Sequence, residues 1–369
     1  MIAFAPYSIK GLPLFLLGLT FFPAQLFAQS DPDLSARSGH TGAEPIVITV
    51  DSNAHKVRIL AGDRPFTEFI YPDTLEKPTL YPIYAPDGQL VTRGFPLQPR
   101  AGEPVDHPHH IGLWFNYENV NGLDFWNNSY AIPAGKKRQY GWIRTDKILR
   151  AESGREKGTL QYSANWTDQQ YTILLKELTT FTFTAAGSER IIDRVTTLTA
   201  RQDISMPDAK DGLLGLRVTR ELQIPSNVPG QFVDDKGNIT KVAGGNTPDI
   251  TGDYLTEEGK KGDSAWGTRA NWCLLFGKKG KDTLSIAIID HPGNPGYPTY
   301  WHARGYGLFA ANPLGQKVFS NGKETLNFQL KKGDSVTFRY RIVIAAGGQR
   351  LSTDRIRQLA DVFGKLKWQ

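Results

Sequence analysis

From Pro45 almost to Ala345, apolar and polar residues alternate with a period of two. The stretches PIVITVDS (Pro45–Ser52), HKVRIL (His55–Leu60), TLQYSANW (Thr159–Trp166), LTTFTFTA (Leu178–Ala185) and VTFRYRIVIA (Val336–Ala345) all show it, and all favour β-branched or aromatic residues. Successive side chains of a strand point to opposite faces, so these segments predict strands with one buried side. Turn signals separate them at Pro86–Gly88, Asp234–Asn238, Gly277–Asp282 and Lys331–Asp334. The last segment breaks the rule. It places Ile356, Leu359, Val362, Phe363 and Leu366 at helical spacing behind Ser352 and Thr353, which predicts an amphipathic helix with a hydroxyl cap. Many strands and one helix predict an all-β chain, a large antiparallel β-sandwich with a C-terminal helix. The Gly- and Asp-rich region from Asp208 to Trp266 reads as loops at one rim of that sandwich.

The chain has 369 residues, 40% of them apolar and 11% aromatic, enough for one large core. Residues 1–28 join Lys10 to an apolar run, Leu12 to Phe22, and end at Ala28. This pattern predicts a cleaved signal peptide and a periplasmic or secreted product. Residues 29–44 read as a flexible segment, 45–350 as the sandwich domain and 351–369 as the helix. After the signal no further stretch is apolar enough to span a membrane. The single cysteine, Cys273 in NWCLLFG, allows no intrachain disulfide and reads as a buried thiol. A net charge of +6 is scattered among acidic residues, so a nucleic-acid partner, which needs a clustered basic face, is not expected. G-x-G-x-x-G, P-loop and G-x-S-x-G motifs are absent, which removes sequence support for nucleotide binding and serine-hydrolase chemistry.

Five of the seven histidines fall in two segments that share Asp-His-Pro. The first is DHPHHIGLWFNYENVNGLDFW (Asp106–Trp126) and the second DHPGNPGYPTYWHARGYG (Asp290–Gly307). Proline disfavours helix for the residue before it, so His107 and His291 are expected at strand ends in extended or turn geometry. If HPHHIGLWF enters a strand, His107 and His109 point one way and His110 the other. An H-x-H pair joined by His302 or an aspartate is compatible with a divalent metal, although no cofactor is required by the sequence. A metal-free site uses imidazole as acid and base, with Asp106 or Asp124 fixing a tautomer. Trp114, Trp126, Trp301 and Trp266, set among Asn, Asp and Arg, suit a polyhydroxylated ligand whose C–H face stacks on a ring. Arg217, in the apolar GLLGLRVTRE, needs a partner, either a ligand oxygen or Glu221. Arg304 shares a strand face with His302. The catalytic candidates are therefore His107, His110, His302, Asp106 and Asp124. The ligand-binding candidates are His109, Asn121, Trp126, Arg217, His291, Asn294, Trp301 and Arg304.

At these residues the chain resembles the PmoA-like domain of unknown function of exported bacterial proteins. The likeness rests on Asp106–Trp126, on GLLGLRV (Gly212–Val218) and on HPGNPGYPTYWHARGYGLFAANPLG (His291–Gly315), and covers most of the chain. It implies that His107, His109, His110, Asn121, Gly122, Asp124, Phe125, Trp126, Arg217, His291, Asn294, Trp301, His302 and Arg304 are characteristic positions. The methane-oxygenase label attached to that family demands several hydrophobic spans, which this sequence lacks. A galactose-mutarotase-like supersandwich, an architecture common among carbohydrate-active proteins, suits the strand count. Three functions follow as expectations. One is an exported carbohydrate- or glycoside-active enzyme using histidine acid/base chemistry, with hydrolysis, elimination and epimerisation all open. The others are a non-catalytic carbohydrate-binding protein and a metal-dependent oxygenase or hydrolase. In each, the partner is a small-molecule or oligosaccharide ligand.

Overall fold

Two antiparallel sheets stack face to face and account for most strands. The computed structural model describes residues 42–234, 236–242 and 248–366. The expected signal peptide, and the N-terminal segment up to residue 41, lie outside the described residues. One sheet has nine strands, ordered Asp253–Thr256, Trp272–Lys279, Asp282–Asp290, Ser335–Gly347, Glu189–Ala200, Ile173–Ala186, Gly158–Thr167 and Trp142–Glu152, with Ala43–Glu44 pairing beside Ile173–Ala186. The other has eight, ordered Tyr300–Arg304, Leu308–Asn312, Gly212–Arg217, Leu113–Tyr117, Thr79–Ile83, Arg64–Ile70, Lys56–Ala61 and Ile46–Asp51. Two short ribbons flank them, Ile204–Met206 with Phe328–Leu330 and Gly230–Val233 with Ile239–Val242. The five segments read as strands from their alternation all lie in these sheets. The end of the expected flexible segment, Ala43–Glu44, is instead a strand, because its backbone completes the pairing of Ala185 and Ala186.

Alternation sorts the side chains. Leu113, Phe115, Leu214, Leu216, Trp301 and Phe309 of the eight-stranded sheet face the nine-stranded one and join Tyr162, Phe181, Ile192 and Ile344 in the main core. Cys273 is buried in the same core, as its apolar neighbours required. The intervening residues Trp114, Leu308 and Ala310 point to the opposite face, where with Trp126 they form a small separate cluster. That second face carries the chemistry described below.

The nine-stranded sheet is also covered on its far side. The helix Thr353–Gly364 buries Ile356, Leu359 and Phe363 against Trp272, Leu274, Ile289 and Val343, each side chain worth roughly 1.5–3 kcal/mol. Ser352 caps it by accepting from the Arg355 amide at 3.2 Å, as the sequence predicts. Arg341 beneath it donates to the Leu359 carbonyl at 3.1 Å and to both carboxylate oxygens of Asp193. Val362 and Leu366, expected on the buried stripe, are 56% and 38% exposed. The region from Asp208 to Trp266 is not all rim loop: Gly212–Arg217 is buried at every position and lies third in the eight-stranded sheet. Its continuous apolar run reflects burial on both faces, which erases the period-two signal.

Candidate functional site

The segment Asp106–His110 is a turn, not the start of a strand; the strand begins only at Leu113. Before Pro108, His107 adopts φ 47°, and the His110 amide donates to the His107 carbonyl at 3.0 Å. The expected alternation of the three histidines therefore does not apply. Their rings gather instead, with centroids 4.8 Å apart for His107 and His110, 4.3 Å for His109 and His110, and 5.6 Å for His107 and His109. Gly112 links turn to strand at φ 58°, and a Cβ there would lie 2.2 Å from the Leu80 carbonyl oxygen, so only glycine allows this approach.

Arg93, fully buried, organises the turn from beneath. Its guanidinium donates to the carbonyls of Pro104 (3.2 Å), Asp106 (2.8 Å), His107 (3.0 Å) and His110 (3.2 Å) and to the Asp106 carboxylate (2.7 Å). Arg217 donates to the same Asp106 oxygen at 2.7 Å and to His110 Nδ1 at 3.0 Å. Arg217 is thus paired with Asp106; Glu221, the partner considered from sequence, binds Lys279 at 2.9 Å. The other Asp106 oxygen binds His107 Nδ1. Burial opposes ionisation of Asp106, but the His107 hydrogen bond and the two guanidinium charges outweigh it and hold the carboxyl well below the usual range. His107 lies parallel to both His110 and Tyr306, at 4.8 and 5.0 Å, and those two rings are parallel to each other at 6.4 Å. Its Nε2 makes no hydrogen bond within the described residues, and the side chain is 41% exposed.

The floor is one row across four strands. Trp114 pairs with Gly215, Gly215 with Ala310 and Ala310 with His302. His302 therefore shares the face of the histidine turn, but it lies three strand spacings from Trp114, about 14 Å. It makes no ring contact with His107 or His110, although His107 is near enough to act on it electrostatically. His302 instead has Nδ1 3.4 Å from Asp211 and an edge contact with Phe319. Burial, then Lys210 and Arg304, pull its pKa down to about 3. Burial also takes His109 to about 2, with Lys77 next, and His110 well below its ordinary value, so these three imidazoles are neutral at neutral pH. Asp211 is raised to about 6 by burial, against the charge of Lys210.

The structure adds residues not singled out from sequence: Arg93, Tyr306, Asp211 and Lys77. Lys77 is 1% exposed, sits over the Trp114 ring at 5.7 Å and forms no hydrogen bond or ion pair with the described residues. Burial lowers it to about 8, opposed by Glu76 and Asp124. Only its placement before Pro78 and amid apolar residues hints at this from sequence. Tyr306 lay within a motif already noticed, two residues beyond Arg304.

Several candidates are not brought to this group. Trp301 faces the main core, its indole N–H donating to the Ala270 carbonyl at 3.1 Å, because it alternates with His302. His291 lies edge-on to Phe363 of the C-terminal helix and accepts from the Gly293 amide at 3.0 Å. Asn294 bridges Asp290 and the Arg339 backbone at 2.7 to 2.8 Å. The second Asp-His-Pro thus orders a loop. Asn121, at φ 52°, ties its own turn to Asp203 and Ser205. Asp124 accepts twice from Asn127 at 2.8 and 2.9 Å; it is raised by burial and felt electrostatically by Lys77. Trp126 packs on Trp114 and His110 at 5.1 and 5.8 Å. Among the described residues, no group of three or more His, Cys, Asp or Glu is arranged to hold a metal ion.

Beside the histidine turn opens a cleft of about 1190 Å³ lined by Asp106, Arg304, Tyr306 and Trp266. Arg304 lies over both aromatic rings, 5.7 Å from Trp266 and 5.8 Å from Tyr306, and forms no ion pair with the described residues. A charged fork held on aromatic faces next to an aspartate–histidine pair can bind oxygen-rich ligands and exchange a proton with them.

No curated protein matches the chain. Among solved structures, it is similar to the galactosidase domain of the alpha-galactosidase-sucrose kinase AgaSK, at 8% identity and TM-score 0.35, covering 82% of this chain and 42% of that one. The chain thus spans less than half the length of that structure. It is also similar to galactose 1-epimerase from Lactobacillus acidophilus NCFM, at 11% identity and TM-score 0.33, covering 83% and 99%. A galactose mutarotase-like protein from Clostridium acetobutylicum gives 10% identity and TM-score 0.35, covering 83% and 98%. Over residues 56–361 the sequence matches DUF6807, described as a family of unknown function, and the chain belongs to that family.

Proposed function

We propose that this protein is an exported, carbohydrate-active enzyme in which the Asp106–His107 pair transfers a proton at a sugar bound in the adjoining cleft. One observation carries this reading: Asp106, anchored by Arg93 and Arg217, holds His107 Nδ1 and leaves Nε2 unpaired among the described residues. A carboxylate on Nδ1 fixes the tautomer whose Nε2 accepts a proton and stabilises the imidazolium that results. His110, with Nδ1 engaged by Arg217, is a neutral ring that can only donate from Nε2. Trp266 supplies aromatic surface for a sugar ring, Tyr306, already stacked with His107 and beneath Arg217, borders it, and Arg304 offers a fork for its oxygens. The finer likeness to PmoA-like proteins belongs to this reading as kinship without methane chemistry.

The test is a panel of glycosides and oxidised sugars incubated with the purified chain and read by mass and by anomeric NMR. His107 is exposed enough to replace without emptying a core. His107→Gln is expected to lower turnover by about 10²–10⁴-fold while leaving binding by calorimetry near its original strength. Turnover unaffected by His107→Gln removes the catalytic assignment, and binding without any turnover leaves a carbohydrate-binding protein. N-terminal sequencing of the exported product checks the compartment, with a start near residue 29 expected.

A further inference from the structure

The cleft beside His107 is larger than one sugar needs, and part of its lining is of another kind. Its volume, about 1190 Å³, exceeds the roughly 300–1,000 Å³ of ordinary small-ligand pockets. Besides Asp106, Arg304, Tyr306 and Trp266, its lining includes the apolar residues Ile224, Pro225, Val228, Pro229 and Phe232, with polar residues such as Ser226, Gln231 and Thr240 among them. Most of these apolar residues face outward: Val228 is 75% exposed, Pro225 and Pro229 are exposed, Phe232 is half-buried, and Ile224 is half-buried against the edge of the main core. Contiguous apolar residues left facing solvent mark a binding surface.

Backbone contacts join this wall to the reacting end. Phe232 bridges to Pro104, two residues before Asp106, and the Ile224 amide donates to the carbonyl of Gly305, between Arg304 and Tyr306, at 2.9 Å. A ligand seated on Tyr306 and Trp266 therefore has apolar surface beside it.

We infer that the ligand is a glycoside with an apolar aglycone, its sugar held by Arg304, Tyr306 and Trp266 and its aglycone lying against Ile224, Val228 and Phe232. This rests on the carbohydrate reading above and names the substrate class.

The test uses calorimetry, which reads binding whether or not turnover occurs. Methyl and phenyl glycosides of the same sugars, glucose and galactose in both anomers, are compared as pairs, with phenol alone as a control. For at least one sugar the phenyl member is expected to bind on the order of ten- to hundredfold more tightly than the methyl member. Val228→Asp and, separately, Phe232→Ala should reduce that advantage below about threefold and leave the methyl glycoside unchanged. Equal affinity within every pair, an advantage untouched by both variants, absence of binding by every pair, or phenol binding as tightly as its glycoside overturns the inference. Failure of the catalytic reading is seen separately, as turnover insensitive to His107→Gln.

Discussion

Lys77 concentrates the residue-scale lesson. A lysine 1% exposed with no hydrogen-bond partner among the described residues costs stability, because its ammonium has lost most of its water and the Trp114 ring does not replace it. Its pKa falls from 10.5 to about 8 on folding. Between those values the unfolded chain binds more protons than the folded one, so stability rises with pH there, and below about 8 the penalty is present in full. The shift corresponds to about 3 kcal/mol. Lys77→Met keeps the stem's volume and removes the charge, so it should raise Tm at pH 7 by several degrees and flatten the rise between pH 8 and 10. A lower Tm at pH 7 would show that the ammonium is stabilised by the site. Sequence reading passed over Lys77, Arg93 and Asp211 because their significance lies in distant partners. Asp106, His107 and His110 are legible because they stand together in the chain, and Arg217 because a charge in an apolar run needs a partner. His291 reads as a ligand-binding candidate because Asp-His-Pro looks the same whether it shapes a loop or a cavity.

At the scale of elements, the row Trp114–Gly215–Ala310–His302 positions the site. The two indoles fit because Gly215 has no side chain: a Cβ there would meet Trp114 at 2.5 Å and Trp126 at 2.9 Å. Gly215→Ala should therefore cost about 1–3 kcal/mol through displaced rings, lower Tm, and change the near-ultraviolet circular dichroism of the tryptophans. An unchanged spectrum and Tm would mean that the indoles do not depend on this gap. Alternation made the half-buried strands legible, and the hydroxyl cap made the helix start legible. The strand Gly212–Arg217 is only partly legible, as an apolar strand-like run around Arg217 within a region that otherwise reads as rim loops, because both of its faces are covered and no alternation remains. The turn at His107 is legible from Pro108, which sets extended or turn geometry before it; the gathering of the three rings is not, because the φ 47° at His107 interrupts the strand geometry that period two presupposes.

For the whole molecule, sequence reading anticipated a large antiparallel sandwich but not that both sheets carry a second covered face. The nine-stranded sheet needs its helix: without Thr353–Gly364, the cluster of Trp272, Leu274, Ile289 and Val343 would face water and Arg341 would lose the Leu359 carbonyl. Deleting residues 351–369 should yield a chain that binds a hydrophobic dye, aggregates and melts at least several degrees lower, measured by dye fluorescence and calorimetry. A truncated chain with unaltered melting and no dye binding would assign the helix no structural part. Cys273 offers a practical return from the same architecture. Its side chain is 0% exposed, and burial raises the thiol far above its ordinary value, so thiol-directed dyes should pass the native protein by. A cysteine placed at Val228 would then be the sole point of attachment, allowing a single fluorophore to report in real time when the groove fills.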